Sequence, residues 1–341
     1  MRMALKPYRE LTLRISLIFC GLFVALLLAE GTLRVGLHAS PGYGPKTPDG
    51  VRQGARHKIL ILGDSFVDKD GWGQLLYQLL LKDLEPFRVE VLNTAGGGMG
   101  PYEYLDQTQA QIHRFLPDTV LLFYYVGNDL TNVQYKLVPR NPLKRFLRPL
   151  LHKSYLYRFY TQRMERLSVR QVSNTVVEKN RIAPEAAEWA KEGKINPWFL
   201  VMSANRKNYI LDNVLMETEE NRKAWETAKS LLAQIDQVSR EAKARLIILI
   251  FPHTAQVDGS HFDFFRKFNF NLDERTLVSD QPQRLLRAFC RQRKIPCLDL
   301  LPYFRAKRSD DLYLEKDDHL GMKGSHLSEK IIFRFIKSRL R

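Results

Sequence analysis

The stretch Lys58-Ile-Leu-Ile-Leu-Gly-Asp-Ser-Phe66 (KILILGDSF) runs from an unbroken apolar segment into a glycine, an acid and a serine. An apolar run without polar alternation suits a strand covered on both faces, as in a parallel sheet. Four more such runs follow, at 89–92 (VEVL), 119–126 (TVLLFYYV), 245–251 (RLIILIF) and 295–298 (IPCL). Helical patterns separate them, at 72–84, at 217–243 with Trp225, Leu232, Ile235 and Val238 on one face, and at 283–293, with a last one at 324–340. Strands alternating with helices predict a three-layer α/β/α domain around a doubly wound parallel five-stranded sheet. Ligands in such a sheet bind beyond the carboxyl ends of the strands. The residues that follow each run are therefore the ones to test for chemistry.

After the first run stand Gly63, Asp64, Ser65 and Phe66, before Gly71 and Trp72. A serine there has an exposed hydroxyl and neighbouring backbone N–H groups suited to an oxyanion. The G-x-S-x-G elbow is excluded, because Val67 holds the second position after the serine. After the second run comes Asn93-Thr94-Ala95-Gly96-Gly97-Gly98-Met99-Gly100-Pro101. It is not a phosphate loop, since no Gly-Lys-Ser/Thr follows, and Tyr102 stands where a dinucleotide fingerprint needs its last glycine. After the third run, Asn128 of Gly127-Asn128-Asp129 offers an uncharged side-chain N–H donor. Near the C-terminus, Asp317-Asp318-His319 places a carboxylate two residues ahead of an imidazole, which can hold its tautomer and stabilise its protonated form. Each piece alone is ambiguous: the serine tetrapeptide could be a turn, the glycines a tight loop, Asn-Asp a helix cap and His319 a surface histidine. Together they are the groups that acyl transfer requires.

At this point the sequence resembles the SGNH, or GDSL-type, serine hydrolase family, over roughly residues 58–340. The resemblance rests on GDSF at 63–66, the glycine block 93–98, Gly127-Asn128-Asp129, and Asp317 to His319 followed by Gly324 and His326. It is nearest to membrane-anchored bacterial members, through Glu30 and Arg34, Phe251-Pro252 followed by Gln256-Val257, and the Leu-Asp-Leu-Leu-Pro step at 298–302. The resemblance implies a flavodoxin-like sheet and a serine esterase acting on an ester-bearing small molecule, lipid or polysaccharide, without cofactor or metal. It implies Ser65 as nucleophile, His319 as general base and then acid, and Asp317 as the orienting carboxylate, with Asp318 the alternative. The backbone N–H groups of Ser65 and Gly98 and the amide of Asn128 would form the oxyanion hole. Asp64, Asp318 and His253 are expected to line the site. The chain departs from the family pattern at Lys316, where many members carry the acid three residues before the histidine, and at Ala95, a frequent glycine.

The N-terminus places the domain. Nineteen residues from Ile15 to Leu33 carry one charge, Glu30, behind Arg2, Lys6, Arg9 and Arg14. About 20 apolar residues span a bilayer core, and a basic flank stays cytoplasmic. The expectation is therefore an uncleaved single-pass anchor in a bacterial inner membrane (residues 1–36) and a linker (37–56). A periplasmic or extracytoplasmic domain (57–341) follows, with an α-rich insertion at about 131–216. A cleaved signal peptide is the competing reading. Of the net charge of +16, +9 lies between Thr131 and Arg170, where Pro142 opens a basic amphipathic segment suited to anionic headgroups or to packing on the core. Nucleic acid is not an expected partner for an extracytoplasmic enzyme. Cys290 and Cys297 lack the paired spacing of a zinc site, but a disulfide would suit them if their Cα atoms lie within about 7 Å. Two other functions compete: O-acetylation of an envelope polysaccharide by the same triad, and a non-catalytic tethered binding protein.

Overall fold

The computed structural model describes residues 6–37, 48–50, 54–137, 154, 156–157, 159–160, 182–192, 194–196 and 198–339. The chain divides into two compact units, Met1–Pro45 with Arg140–Ser168, and Lys46–Pro139 with Val169–Arg341.

The larger unit holds the sheet. Its strands are β1 (Asp49–Gly50), β2 (His57–Leu62), β3 (Val89–Asn93), β4 (Thr119–Tyr125), β5 (Arg245–Phe251) and β6 (Cys297–Asp299), in the spatial order β1-β3-β2-β4-β5-β6. The five expected strands are β2 to β6, and they pair in parallel. The sixth, β1, is antiparallel to β3, with Asp49 opposite Val91. It falls inside the stretch read as linker, where two residues are too few to show any periodicity. The run expected at 295–298 is displaced to Cys297–Asp299, because Pro296 has no N–H to give a ladder; its carbonyl instead accepts the Ile248 N–H at 3.0 Å.

Successive strand residues face opposite layers, which is why the runs do not alternate. Ile59, Ile61, Leu121, Phe123, Ile247 and Leu249 pack with Leu76 and Leu80 of the helix Gln74–Leu84 and with Ile332 and Ile336 of Met322–Lys337. Leu60, Leu62, Val120, Leu122, Ile248 and Ile250 pack on the other side. Their partners there are Ile112 of Pro101–Phe115, Leu232 and Ile235 of Glu219–Glu241, and Leu286 and Phe289 of Gln281–Arg293. Each such side chain contributes about 1.5–3 kcal/mol on burial. Both layers are therefore firmly held, and the strand ends between them are fixed points. From β2 the chain moves to β3 on one side and returns to β4 on the other, so the switch point lies between β2 and β4. That is where a crevice for ligands opens.

Between 131 and 216 the described residues contain no strand. The helices Asp129–Leu137, Pro184–Lys191, Trp198–Asn205 and Tyr209–Val214 stand there, and Ile195, Phe199, Leu200, Ile210 and Val214 join the core. The amphipathic segment opened by Pro142 lies outside the described residues. Cys290 and Cys297 are free thiols, and a hydrogen bond with Cys297, together with burial, pushes the Cys290 thiol up.

In the smaller unit, Lys6–Leu37 forms one helix. Its segment Ser16–Gly36 is long and apolar enough to cross a membrane. Glu30, the acid within it, is not left bare: its carboxylate pairs with Arg34 at 3.2 Å and accepts the Ser154 hydroxyl at 2.7 Å and the Leu156 N–H at 2.9 Å.

Candidate active site

Three strand ends and one C-terminal turn converge on Ser65. The serine, partly exposed, follows β2. Asp64 before it is fully buried and points the other way. Its Oδ1 accepts the Phe66 N–H at 3.0 Å, an Asx-type turn, and its Oδ2 accepts the Asn128 side-chain N–H at 2.8 Å. Only the nitrogen of an amide can donate to a carboxylate, so this contact fixes which way Asn128 faces. Burial pushes the Asp64 carboxyl up to about 6, against the pull of these two donors.

Asn128 follows β4 and caps the helix Asp129–Leu137, its carbonyl accepting the Asn132 N–H at 2.8 Å. The neighbouring Asp129 is fully buried and takes the Tyr104 hydroxyl at 2.8 Å and the Tyr125 N–H at 3.0 Å. From β3, Asn93 donates to the Val67 carbonyl at 2.7 Å and accepts the Ala95 N–H at 2.9 Å. Thr94 donates its hydroxyl to the Ile61 carbonyl at 2.8 Å. The glycine block is thereby laced to the end of β2. Gly98, with φ +70°, takes a left-handed conformation that only glycine adopts freely. The Asn132 amide reaches the Gly98 carbonyl at 3.4 Å and that of Met99 at 3.1 Å.

The C-terminal turn carries the imidazole. Tyr313 bridges Leu320 across the turn, and its hydroxyl ties the turn to the Pro252 carbonyl beyond β5 at 2.9 Å. Asp317 Oδ1 accepts both the backbone N–H of His319 at 3.1 Å and its ring Nδ1–H at 2.5 Å. The i→i+2 turn is what lets an acid only two residues ahead reach the ring. His319 Nε2 lies 2.7 Å from Ser65 Oγ. With Nδ1–H committed to Asp317, Nε2 is the acceptor of the serine hydroxyl proton.

The charges follow from these contacts. Burial works against the Asp317 anion, but its hydrogen bonds to His319, the charge of that ring and a hydrogen bond with Asp318 together outweigh it and hold the carboxyl below its ordinary range. Burial also works against the imidazolium. The hydrogen bond to Asp317 and the charges of Asp318, Asp317 and Asp64 prevail, and His319 is pushed up to about 9.

Of the residues expected to line the site, Asp64 and His253 lie behind it: both are fully or almost fully buried. His326 is exposed on the last helix. Sequence reasoning missed three contributors. Trp72 stacks on His319 at 5.1 Å with 51% of its surface exposed, Asn132 braces the glycine block, and Tyr125 donates to Asp318. Trp72 had a readable signal in its flanking glycines, whereas Tyr125 is hidden in an apolar strand. Donor atoms of Asp317, Asp318 and His319 lie within 4.8 Å of one another, a spacing a cation could use. Both ring nitrogens of His319 are engaged in hydrogen bonds, with Asp317 and Ser65.

No family model matches the chain, and no curated protein does. Among solved structures, it is similar to a lipase/acylhydrolase from Enterococcus faecalis (14% identity, 84% of this chain and 97% of that one, TM-score 0.41). It is also similar to an acetylxylan esterase from Geobacillus stearothermophilus (11%, 84% and 95%, TM-score 0.43). A third is a GDSL-like lipase from Bacteroides thetaiotaomicron (10%, 83% and 89%, TM-score 0.37).

Proposed function

We propose that the chain is a serine-dependent ester hydrolase of SGNH type, held in a bacterial inner membrane by its N-terminal helix with the catalytic unit on the periplasmic side. The observation that carries this reading is the continuous chain from Asp317 to His319 Nδ1, across the ring to Nε2, and on to Ser65 Oγ at 2.7 Å.

In this scheme Ser65 Oγ attacks the ester carbonyl as its proton passes to His319 Nε2, and Asp317 stabilises the imidazolium. The carbonyl oxygen becomes an oxyanion. The donors offered to it are the backbone N–H groups of Ser65 and Gly98 and the second N–H of the Asn128 amide, whose first is bound to Asp64. Collapse breaks the bond to the alcohol, and His319 returns the proton to the departing oxygen. Water then repeats the cycle on the acyl-serine, restoring Ser65 and releasing the acid.

The test is labelling of the full chain in detergent by a fluorophosphonate probe, with turnover of short-chain p-nitrophenyl esters. Ser65→Ala is expected to abolish both, and label retained on that variant would refute the nucleophile. An oligosaccharide acceptor added to the assay distinguishes transfer to a sugar hydroxyl from transfer to water.

A further inference from the structure

Asp318 is a well-held carboxyl beside the His319 ring for which the acyl-transfer scheme has no use. Its side chain is 14% exposed, and Oδ1 lies 3.5 Å from His319 Nδ1. Oδ2 accepts the Tyr125 hydroxyl at 2.9 Å and stands 4.0 Å from His253 Nε2. The orientation of His253 is set by its other nitrogen: Nδ1 accepts the Ala255 N–H at 3.0 Å. A nitrogen that accepts carries no proton, so the ring proton is on Nε2 and faces Asp318. Burial holds His253 down to about 4 and keeps Tyr125 from ionising. Tyr125 is therefore a neutral donor to Asp318 and His253 a neutral neighbour, and neither cancels its charge.

The same rings form one column. Trp72, His319, Phe66, Tyr125, His253 and Phe265 follow one another at centroid separations of 5.1, 5.4, 3.9, 6.2 and 5.6 Å, each pair within 30° of parallel. His319 is clamped between Phe66 and Trp72, and Tyr125, which donates to Asp318, stands further down the stack with His253 beyond it. Ring and carboxyl are thus fixed relative to each other by packing as well as by hydrogen bonds.

We propose that Asp318 is a second carboxyl partner of His319, a positioning residue that shares with Asp317 the control of the imidazole proton. The titratable groups acting on it are Asp317, His319, His253, Tyr125, Tyr313 and Asp64. Burial raises its own proton affinity. Once deprotonated it is an anion facing Nδ1, and it favours the protonated ring. The base form of His319 then accumulates only as pH rises toward about 9, and removing the Asp318 charge moves that limb to lower pH.

This inference rests on the serine-hydrolase reading for its kinetic arm, so the experiment has two arms on the full chain in detergent. The first is the pH dependence of the fluorophosphonate labelling rate. Asp318→Asn keeps the size of the side chain and an acceptor for Tyr125, and it should shift the rising limb down by about one unit, roughly tenfold faster labelling near neutral pH. Asp317→Asn should instead lose about 10⁴-fold at the plateau. The second arm follows the His319 imidazole titration by NMR in the Ser65→Ala background, with and without Asp318→Asn. If nothing labels but the titration still moves down, the hydrolase reading fails and this one stands. A limb and a titration unmoved by Asp318→Asn overturn it. So does a plateau loss equal to that of Asp317→Asn. Should Asp318→Asn fail to fold, Tyr125→Phe removes only a donor to Asp318, and it must give a smaller shift in the same direction.

Discussion

In the proposed scheme His319 accepts a proton, while Asp317, Asp318 and Asp64 all favour its charged form. The active species is the neutral ring, so esterase kcat/KM is expected to rise with pH through about 9 rather than level off near 7. A pH–rate profile measures this, and a plateau reached by pH 7 would contradict it. Asn128 gives a second residue-level prediction. Its amide is fixed by Asp64 at 2.8 Å, so in the proposed scheme Asn128→Ala removes an oxyanion donor. The expected loss is about 10²–10³ in kcat with KM little changed, as steady-state kinetics would show. A rise in KM alone would place the amide in substrate binding instead.

The loop from β2 to the helix Gln74–Leu84 presents Trp72 over His319, and its shape depends on a close backbone approach. A Cβ at Gly73 would lie 2.3 Å from the Val67 nitrogen and 2.5 Å from the Phe66 carbonyl carbon, backbone atoms that cannot yield. Gly73→Ala is therefore expected to cost about 2 kcal/mol in stability and to slow labelling. Gly97→Ala, where a Cβ meets nothing within 4 Å, should do neither; equal melting temperatures for the two variants would refute the argument. The elements themselves were largely legible in the sequence. Buried parallel strands leave long apolar runs, and the helices between them show their inward faces, so β2 to β6 and the helices around 217–243 and 283–293 stand out. The two-residue β1 carries no such signal. The candidates Ser65 and Asp317, which the structure brings within hydrogen-bond distance of His319, and His319 itself could be singled out because each follows a strand or precedes a helix in a recognisable setting. The Asp318 cluster was not, because Tyr125 lies 193 residues away and its hydroxyl looks like one more apolar strand position.

At the scale of the whole molecule, the helix Lys6–Leu37 is long enough to cross a bilayer, and its one acid within the apolar run is hydrogen-bonded to Ser154 and Leu156. The full chain is expected to stay with membranes through carbonate extraction. A periplasm-dependent reporter fused to its C-terminus should be active, since the basic N-terminal flank stays inside; a reporter active only in the cytoplasm would reverse the topology. Most of the positive charge between Thr131 and Arg170 lies outside the described residues. The proposed acyl chemistry is tested most directly by treating membranes carrying the full chain, or its Ser65→Ala variant, with a fluorophosphonate probe. The label should appear on the unaltered chain, map by mass spectrometry to Ser65, and vanish in the variant. Label at another residue, or undiminished label on Ser65→Ala, would contradict the assignment of Ser65, His319 and Asp317 as the reacting set.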